Sequence, residues 1–304
     1  MYNIIGKRFQ FFALSGLLVL VCIVALAVFG LKPGIEFSSG SLVTISFEQD
    51  VDIGDLRQVL SSAGYPGAII QTTSNGDFQI RTVTLTDSAR DDLRQALTNR
   101  FGPYTESGST SIESTVSRQT VRTVIIAMGV AALGIILYIT YAFRKMPNPL
   151  RYGTCGIIAM AFDVVMVIGF FSLIAGFLNW EINLMFITGV LAVIGYSIND
   201  KIVVFDRIRE NTRRMVGVDF ATIVNRSIVE TITRSLITSI TTLFTIIALM
   251  LFVSSTIMNF LVTLFIGIIA GTYSSIMIAT PLLVIWQNKE WHRFLPWLNR
   301  SAKS

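Results

Sequence analysis

The chain has 304 residues, of which 52% are hydrophobic and only 14% are charged, and its net charge is +5. This composition excludes an ordinary soluble domain and indicates a membrane protein in contact with lipid. Cys22 and Cys155 both lie in apolar runs, so they do not indicate a disulfide framework. The single histidine, His292, has no Cys or Glu cluster near it, so neither a metal site nor a cofactor is expected.

Six apolar stretches are long enough to cross a bilayer, since a membrane helix needs about 20 residues. The first is interpreted as a retained anchor rather than a signal peptide, because its apolar part is long and lacks a cleavage site. The predicted parts are the N-terminus with the first helix (1–30), a module (31–120), a five-helix bundle (121–286) and a tail (287–304). The predicted spans are 11–30, 121–143, 153–178, 183–205, 233–253 and 258–286.

The connections between these stretches differ in charge. Lys and Arg are concentrated in 144–151 and 206–226, whereas 179–183 and 254–259 contain neither. By the positive-inside rule, the basic connections and both termini are cytoplasmic, and residues 31–120 are extracytoplasmic. This predicts a multi-pass protein of the cytoplasmic (inner) membrane. The positive charge is then a signal of topology, and no nucleic-acid partner is expected.

Residues 31–120 are too many for a loop without structure of its own. A strand with alternating apolar residues begins at Ser41, and two helices with one apolar face each are predicted over 52–64 and 86–102. A hairpin turn is predicted at Asn75, between the second and third strands. The resulting order, β-α-β-β-α-β, is typical of a ferredoxin-like domain. The segment has no nucleophile–base pair or phosphate loop, so a binding or moving module is expected.

Three ionisable residues within the apolar stretches need an explanation, because each costs at least about 2.5–3.5 kcal/mol on insertion scales. Asp163 lies near the middle of the third stretch, and Asp200 and Arg234 lie at similar depths in the fourth and fifth. We expect all three in the bundle interior rather than against lipid. An ion relay, a structural pair that fixes helix register, and a lipid or substrate contact remain open, and the relay is favoured.

Other polar residues are spaced so that they share a helix face with Asp200 or Arg234. Tyr196 and Asn199 share a patch with Asp200. Lys201 is about 100° further round the same helix and is interpreted as an interfacial anchor whose amine reaches the membrane surface. Small residues at 267 and 271 are expected to let the last span approach its neighbour closely. A polar seam on the fifth span consists of Thr231, Arg234, Thr238, Thr241 and Thr245.

These residues resemble those of the SecF family, part of the SecD/SecF family in the resistance-nodulation-division superfamily. The stretch GYSINDKIVVFDRIREN (195–211) resembles the family's signature in its fourth span, and NRSIVETITRSLITSITT (225–242) resembles the one in its fifth. GIEFSSGSLVTI (34–45) is similar to the turn that follows the first span. The resemblance covers the whole chain. The family usually has His where this chain has Phe162, Thr at Lys201 and Gly at Ser39.

The resemblance implies an accessory subunit of the Sec translocase and not an enzyme. Such a subunit works with SecD and the SecYEG channel, and indirectly with the SecA motor and YajC, on a translocating unfolded polypeptide. The energy source implied is the proton gradient, with sodium as the other option. Asp200 and Arg234 match the family's ion-relay residues, and Asp163 matches an acid in its third span. The polar path proposed around them consists of Asp163, Tyr196, Asn199, Thr238 and Thr241.

Two other functions remain open at this stage. One is half of a small-molecule exporter of the same superfamily, which would need a partner with six more spans. The other is a purely structural subunit that stabilises the translocon and transports nothing.

Overall fold

The computed structural model describes residues 3–73, 76–142, 144, 149–178, 180–252 and 255–290. In this part of the chain, six helices are long and apolar enough to cross a membrane, which confirms the number of predicted spans. These are Ile5–Phe29, Ser114–Ala142, Pro149–Leu178, Leu184–Arg214, Phe220–Phe252 and Ile257–Asn288. The predicted tail from residue 291 onward lies outside the described residues.

The elements follow one another without long irregular connections. A turn of 3-10 helix (Ile5–Lys7) precedes the first helix, and a π-helical stretch (Ser275–Ala279) joins the last two. In chain order they are α1 (Arg8–Phe29), α2 (Ile35–Ser38), β1 (Gly40–Phe47), α3 (Ile53–Ser62), β2 (Ile69–Thr72), β3 (Phe78–Thr82), α4 (Asp87–Phe101), β4 (Tyr104–Ile112), α5 (Ser114–Ala142), α6 (Pro149–Leu178), α7 (Leu184–Arg214), α8 (Phe220–Phe252), α9 (Ser255–Ser274) and α10 (Thr280–Asn288).

Several long helices extend beyond the apolar stretches that predicted them. α5 begins at Ser114 rather than at 121, α7 continues to Arg214 rather than ending at 205, and α8 begins at Phe220 rather than at 233. Ion pairs along the helix surface stabilise such charged extensions. On α7, Asp206 pairs with Arg209 at 2.5 Å. The length of each apolar stretch therefore predicted the membrane-spanning part of the helix but not where the helix begins or ends.

The sheet module (residues 40–112) contains one four-stranded antiparallel sheet in the order β2-β3-β1-β4. The predicted order of strands and helices is confirmed. The two helices begin at side-chain caps, where Asp52 accepts from the Gly54 amide and Thr86 accepts from the Ala89 amide. The predicted turn residue Asn75 lies outside the described residues. One apolar core joins the sheet to the helices through Ile45, Leu56, Leu60, Ile80, Leu93 and Leu97.

The helix bundle has two different ends. At one end Arg8 pairs with Glu290 at 2.5 Å, and the Ile4 amide donates to Asn225 at the start of α8. At the other end lie the sheet module and the short connection between α6 and α7. Arg151 and Asn225, which belong to the two basic stretches predicted to be cytoplasmic, thus lie at one end of the bundle, and the module is at the opposite end.

A set of polar contacts, the clamp, holds the sheet module to the bundle. It is defined by residues 32–34 after α1, residues 181–182 before α7, and Arg81 on β3. The segments pair as a short parallel bridge, with the Gly34 amide donating to the Ile182 carbonyl at 2.8 Å. Arg81 pairs with Glu181 at 2.7 Å and donates to the Pro33 carbonyl at 2.7 Å. The start of α7 and the sheet therefore share one ion pair.

The clamp predicts a specific pH dependence. Burial raises the pKa of the Glu181 carboxyl above its usual 4.5, and the neighbouring Arg81 only partly opposes this. The folded chain then holds this proton more tightly than the unfolded chain, so the stability that Glu181 contributes is greatest below pH 4.5 and decreases as the pH rises. We therefore expect the melting temperature of wild type minus that of Glu181→Gln to decrease as the pH rises.

The measurement is thermal unfolding of both proteins between about pH 3.5 and 6.5, the range around an ordinary carboxyl pKa. Glu113→Gln, which removes an exposed carboxyl outside the clamp, is the control for the loss of one charge. A difference between wild type and Glu181→Gln that does not vary with pH would contradict the assignment.

Glycines allow two pairs of helices, α9 with α7 and α6 with α1, to approach each other closely. A Cβ at Gly267 of α9 would overlap the side chain of Val193 on α7, and one at Gly271 would lie 3.1 Å from the Ser197 hydroxyl oxygen. A Cβ at Gly169 of α6 would overlap Cys22 on α1. The predicted role of positions 267 and 271 in close packing is therefore confirmed.

We expect Gly267→Ala to destabilise the chain by about 1–3 kcal/mol, because the added methyl group has no space and α9 must move. Gly129→Ala is the matched control, since Gly129 is exposed on α5 and nothing lies within 4 Å of its Cβ position. Thermal unfolding of the full chain in detergent measures both. Equal effects of the two substitutions would show that the contact is not tight.

Candidate functional site

The interior of the bundle contains charged side chains contributed by α6 and α7. Asp163 and Lys201 are each only 1% exposed, and Asp200 is 4% exposed. α6, α7 and α9 pack against one another around these groups. Removing a charge from water is costly unless the charge is paired and hydrogen-bonded, so the partners of each group determine what it can do.

Lys201 forms the centre of the site. Its amine lies 2.7 Å from Asp163 Oδ2 and 3.0 Å from the Ser274 hydroxyl oxygen, and it also contacts the Ser197 hydroxyl. The Ser197 hydroxyl in turn donates to Asp163 Oδ2. We call Asp163, Ser197, Lys201 and Ser274 the lysine cluster. It joins α6, α7 and the end of α9 through one buried ion pair.

The prediction that Lys201 is an interfacial anchor is wrong. Its side chain does not extend to the membrane surface, because the face of α7 that carries Lys201 also carries Ser197 one turn earlier and packs against α6 and α9. Depth along the sequence placed the residue near the surface, but it did not reveal the direction of the side chain. Asp163 supplies the opposite charge inside the bundle.

Asp200 is buried next to the cluster but does not belong to it. Its Oδ2 atom has no hydrogen-bond partner among the described residues. No ion pair joins it to Arg234 in the part of the chain that the structure describes. The predicted location of Asp200 in the interior is confirmed, whereas the expected neighbourhood with Arg234 is not found within this chain.

Arg234 lies on the exposed face of α8, so its predicted interior location is wrong. The buried face of α8 carries Thr231, Ser235 and Ser239, and a residue one position away from Ser235 is turned by about 100°. Thr238 and Thr241 are exposed with Arg234, and their hydroxyls donate to carbonyls of their own helix at 2.9 Å. The predicted seam of threonines is therefore largely an outer face.

The remaining predicted residues separate from one another. Tyr196 donates to the Ser239 hydroxyl oxygen at 3.3 Å, no hydrogen bond joins it to Asp200 among the described residues, and Asn199 is exposed. The serines of the lysine cluster were missed by the sequence interpretation. Ser197 precedes Lys201 by one helical turn, and that spacing was a usable signal. Ser274 had no local signal, because it reaches the cluster through the tertiary approach of α9.

The described residues contain no group of three or more His, Cys, Asp or Glu side chains that could hold a metal ion. Cys22 and Cys155 are free and buried. The chemistry available in the described interior is therefore that of an ion pair, a separate carboxylate and several hydroxyl groups.

The fold and the site define a multi-pass membrane protein with an ion pair enclosed in its helix bundle and a sheet module between its first two long helices. The chain belongs to the SecD/SecF family of protein export membrane proteins. The family model "Protein export membrane protein SecD/SecF, C-terminal" matches residues 92–289, and the "SecD/SecF GG Motif" model matches residues 24–51.

Curated relatives match along nearly the whole chain. The protein translocase subunit SecF of Thermobaculum terrenum is 42% identical over 96% of this chain and 96% of its own length. The subunit SecF of Anaerolinea thermophila is 38% identical over 100% of this chain and 99% of its own. The protein translocase subunit SecDF of Thermus thermophilus is 33% identical over 94% of this chain, which covers 40% of that protein.

A solved structure agrees with the fold. The crystal structure of SecDF from Thermus thermophilus, described as a translocon-associated membrane protein, aligns with a TM-score of 0.84 at 33% identity. The alignment covers 94% of this chain and 39% of the SecDF chain. This chain therefore corresponds to less than half of that protein.

The glycine-pair motif has a serine at its first position in this chain. Ser39 has φ +61° and Gly40 has φ +136°, so both residues occupy backbone conformations that favour glycine. The turn thus has the backbone conformation that a pair of glycines adopts without strain. At Ser39 this conformation costs about 1–3 kcal/mol of backbone strain.

The lysine cluster predicts strong coupling between two substitutions. Asp163→Asn and Lys201→Met should each destabilise the full chain by about 3–5 kcal/mol, because each leaves one buried charge unpaired. The double variant Asp163→Asn/Lys201→Met removes both charges and should be clearly more stable than the sum of the single losses predicts. Thermal or denaturant unfolding in a sodium-free buffer measures the cycle. Additive effects would contradict the buried pair.

Proposed function

We propose that this chain is an accessory subunit of the Sec protein translocase that, together with SecD, uses the proton motive force, or a sodium gradient, to promote late export and release of polypeptides. Asp200 carries the proposal. It is a carboxylate in an apolar helix with a buried oxygen that lacks a partner in the described chain. Intramembrane carboxylates commonly mark ion pathways. The translocase names of the relatives support the same role.

The outer face of α8 suggests where SecD packs. Arg234 is exposed on this helix, and a guanidinium in contact with lipid would be costly. A second membrane subunit that covers Arg234, Thr238 and Thr241 would remove them from lipid. The relative in which SecD and SecF are named together, SecDF, is much longer than this chain, which supports a partner of comparable size. The SecYEG channel, with SecA and YajC indirectly, completes the proposed assembly.

In the proposed cycle Asp200 alternates between an ionised state, in which Arg234 compensates its charge, and a protonated state. Because Asp200 is buried and Arg234 lies on the exposed face of α8, their pairing requires a rearrangement of α7 and α8 in the assembled complex. Tyr196 and Asn199, together with Thr238 and Thr241, line the path that supplies the ion. Asp163 supports this arrangement by holding Lys201, rather than by carrying the transported ion itself.

The sheet module is proposed to be a ferredoxin-like domain outside the cytoplasmic membrane, with both termini in the cytoplasm. The β-α-β-β-α-β order, the antiparallel sheet and the helices that share its core support this assignment. The basic connections at the opposite end of the bundle support the orientation. The module would bind an emerging polypeptide in one state of the bundle and release it in the other.

We expect Asp200→Asn to reduce gradient-dependent export to the level seen without a gradient, because the amide cannot exchange a proton. Asp206→Asn is the matched control: it makes the same chemical change at an exposed position on the same helix. Export is measured in inner-membrane vesicles that contain the assembled SecD–SecF complex. Replacing sodium by potassium in the same assay distinguishes the two coupling ions.

Co-purification with SecD must first establish that Asp200→Asn assembles normally. If the assembled variant exports at the wild-type rate, the relay is excluded and a structural subunit becomes the better description. A proton flux that is independent of both Asp200 and Arg234 would lead to the same conclusion.

A further inference from the structure

The amine of Lys201 is enclosed by oxygen atoms from three helices. Asp163 Oδ2 lies at 2.7 Å, the Ser274 hydroxyl at 3.0 Å and the Ser197 carbonyl at 3.5 Å, and the Ser197 hydroxyl completes the contacts. Asp163 and Lys201 are each 1% exposed, and Ser197 and Ser274 are fully buried. The surroundings of the amine are therefore a buried shell of one carboxylate, two hydroxyls and one carbonyl.

This set of ligands has the chemistry of a cation site. Carboxylate, hydroxyl and carbonyl oxygens are ligands of hard metal cations, and the shell contains one negative charge for one positive charge. The second oxygen of Asp163, Oδ1, is buried and has no partner among the described residues, so the carboxylate retains capacity for a further contact. An ammonium group occupies the position that a monovalent metal ion would take.

The backbone around the cluster fits the same interpretation. Ser274 is the last residue of α9, and the chain continues as a π-helical stretch, Ser275–Ala279. Such interruptions often occur at functional sites, and ion sites in transporters commonly use helices that are interrupted inside the membrane. Gly271, one turn before Ser275, keeps α9 close to Ser197. The interruption thus lies where the three helices meet.

We propose that Asp163, Ser197 and Ser274 form a monovalent-cation site that the ammonium group of Lys201 fills permanently, as a cation tethered to the chain. The tether supplies the positive charge opposite Asp163 and excludes free sodium from the cluster. This site is distinct from Asp200, and its existence does not depend on the transport role proposed above. Removing the amine should therefore create a sodium site in a chain that otherwise has none at this position.

The test is the full chain with Lys201→Ser, which removes the amine and leaves space for an ion. Thermal unfolding is compared in NaCl and in choline chloride at equal ionic strength, at about pH 8, where ordinary carboxyls are ionised. We expect the melting temperature of Lys201→Ser to rise by about 3 °C or more in sodium, with saturation as sodium increases. The wild-type melting temperature should differ less between the two salts than that of Lys201→Ser.

Two control variants separate ion binding from general effects. Lys201→Ser/Asp163→Asn has the same space without the carboxylate, so its sodium response should be lost. Ser172→Ala removes a different buried hydroxyl of α6, which donates to the Gly30 carbonyl at 2.6 Å, and should lower the melting temperature equally in both salts. A sodium response in either control that exceeds the wild-type response would overturn the assignment of the site.

A folded Lys201→Ser chain that responds identically to sodium and choline would also overturn the proposal. If Lys201→Ser accumulates only when sodium is present, that result supports it. If the variant accumulates under neither condition, Lys201→Thr takes its place, because its short side chain also removes the amine and leaves space for an ion, and the same sodium dependence is required. Since unfolding rather than export is measured, failure here leaves the proposed role of Asp200 untouched.

Discussion

The buried ion pair between Lys201 and Asp163 constrains the rest of the bundle. Two charges that are each 1% exposed are tolerated only at short range and with their remaining hydrogen-bonding capacity largely used, so α6, α7 and the end of α9 must keep a fixed register. The Ser274 hydroxyl reaches the amine only because Gly267 and Gly271 let α9 lie against α7. The contacts of the buried charges therefore depend on the close packing of α9 against α7.

The same pair explains why the two buried acids, Asp163 and Asp200, differ in their hydrogen-bond partners. Asp163 is held by a cation and by a hydroxyl, whereas Asp200, one residue before Lys201, faces a different side of α7 and has an oxygen without a partner in the described chain. Among the described residues, the interior contains two acids, Asp163 and Asp200, and one base, Lys201, so full ionisation of all three would leave it short of one positive charge. A proton on Asp200, or a cation brought close by a partner subunit, restores the balance. An incomplete interior of this kind fits a chain that corresponds to less than half of its SecDF relative.

Sequence patterns predicted the features that depend on many residues. They missed the features that depend on the direction in which a single side chain points from its helix. Span number and the order of elements in the sheet module follow from long apolar runs and repeated periodicity, which single substitutions do not obscure. Successive residues of a helix point about 100° apart, so the burial of Lys201 and the exposure of Arg234 depend on which face of the helix is buried. The sequence interpretation took the threonine face of α8 as the buried one, whereas the serine face is buried, and Arg234 was therefore assigned to the wrong side. Ser274 depends on the approach of a helix more than 70 residues away along the chain, which local pattern does not encode.

The route from the interior to the sheet module follows from the continuity of α7. This helix carries Asp200 and begins at Leu184, after Asn183, whose side chain caps it by accepting from the Phe186 amide at 3.0 Å. Asn183 and Asp200 are about 26 Å apart along a continuous helix. Glu181 and Ile182, just before the cap, hold Arg81 and the segment after α1. If a charge change at Asp200 shifts or rotates α7, as we propose, the clamp is the contact through which that motion would reach the sheet. A loosened clamp would then leave the charge site intact while uncoupling it from the module.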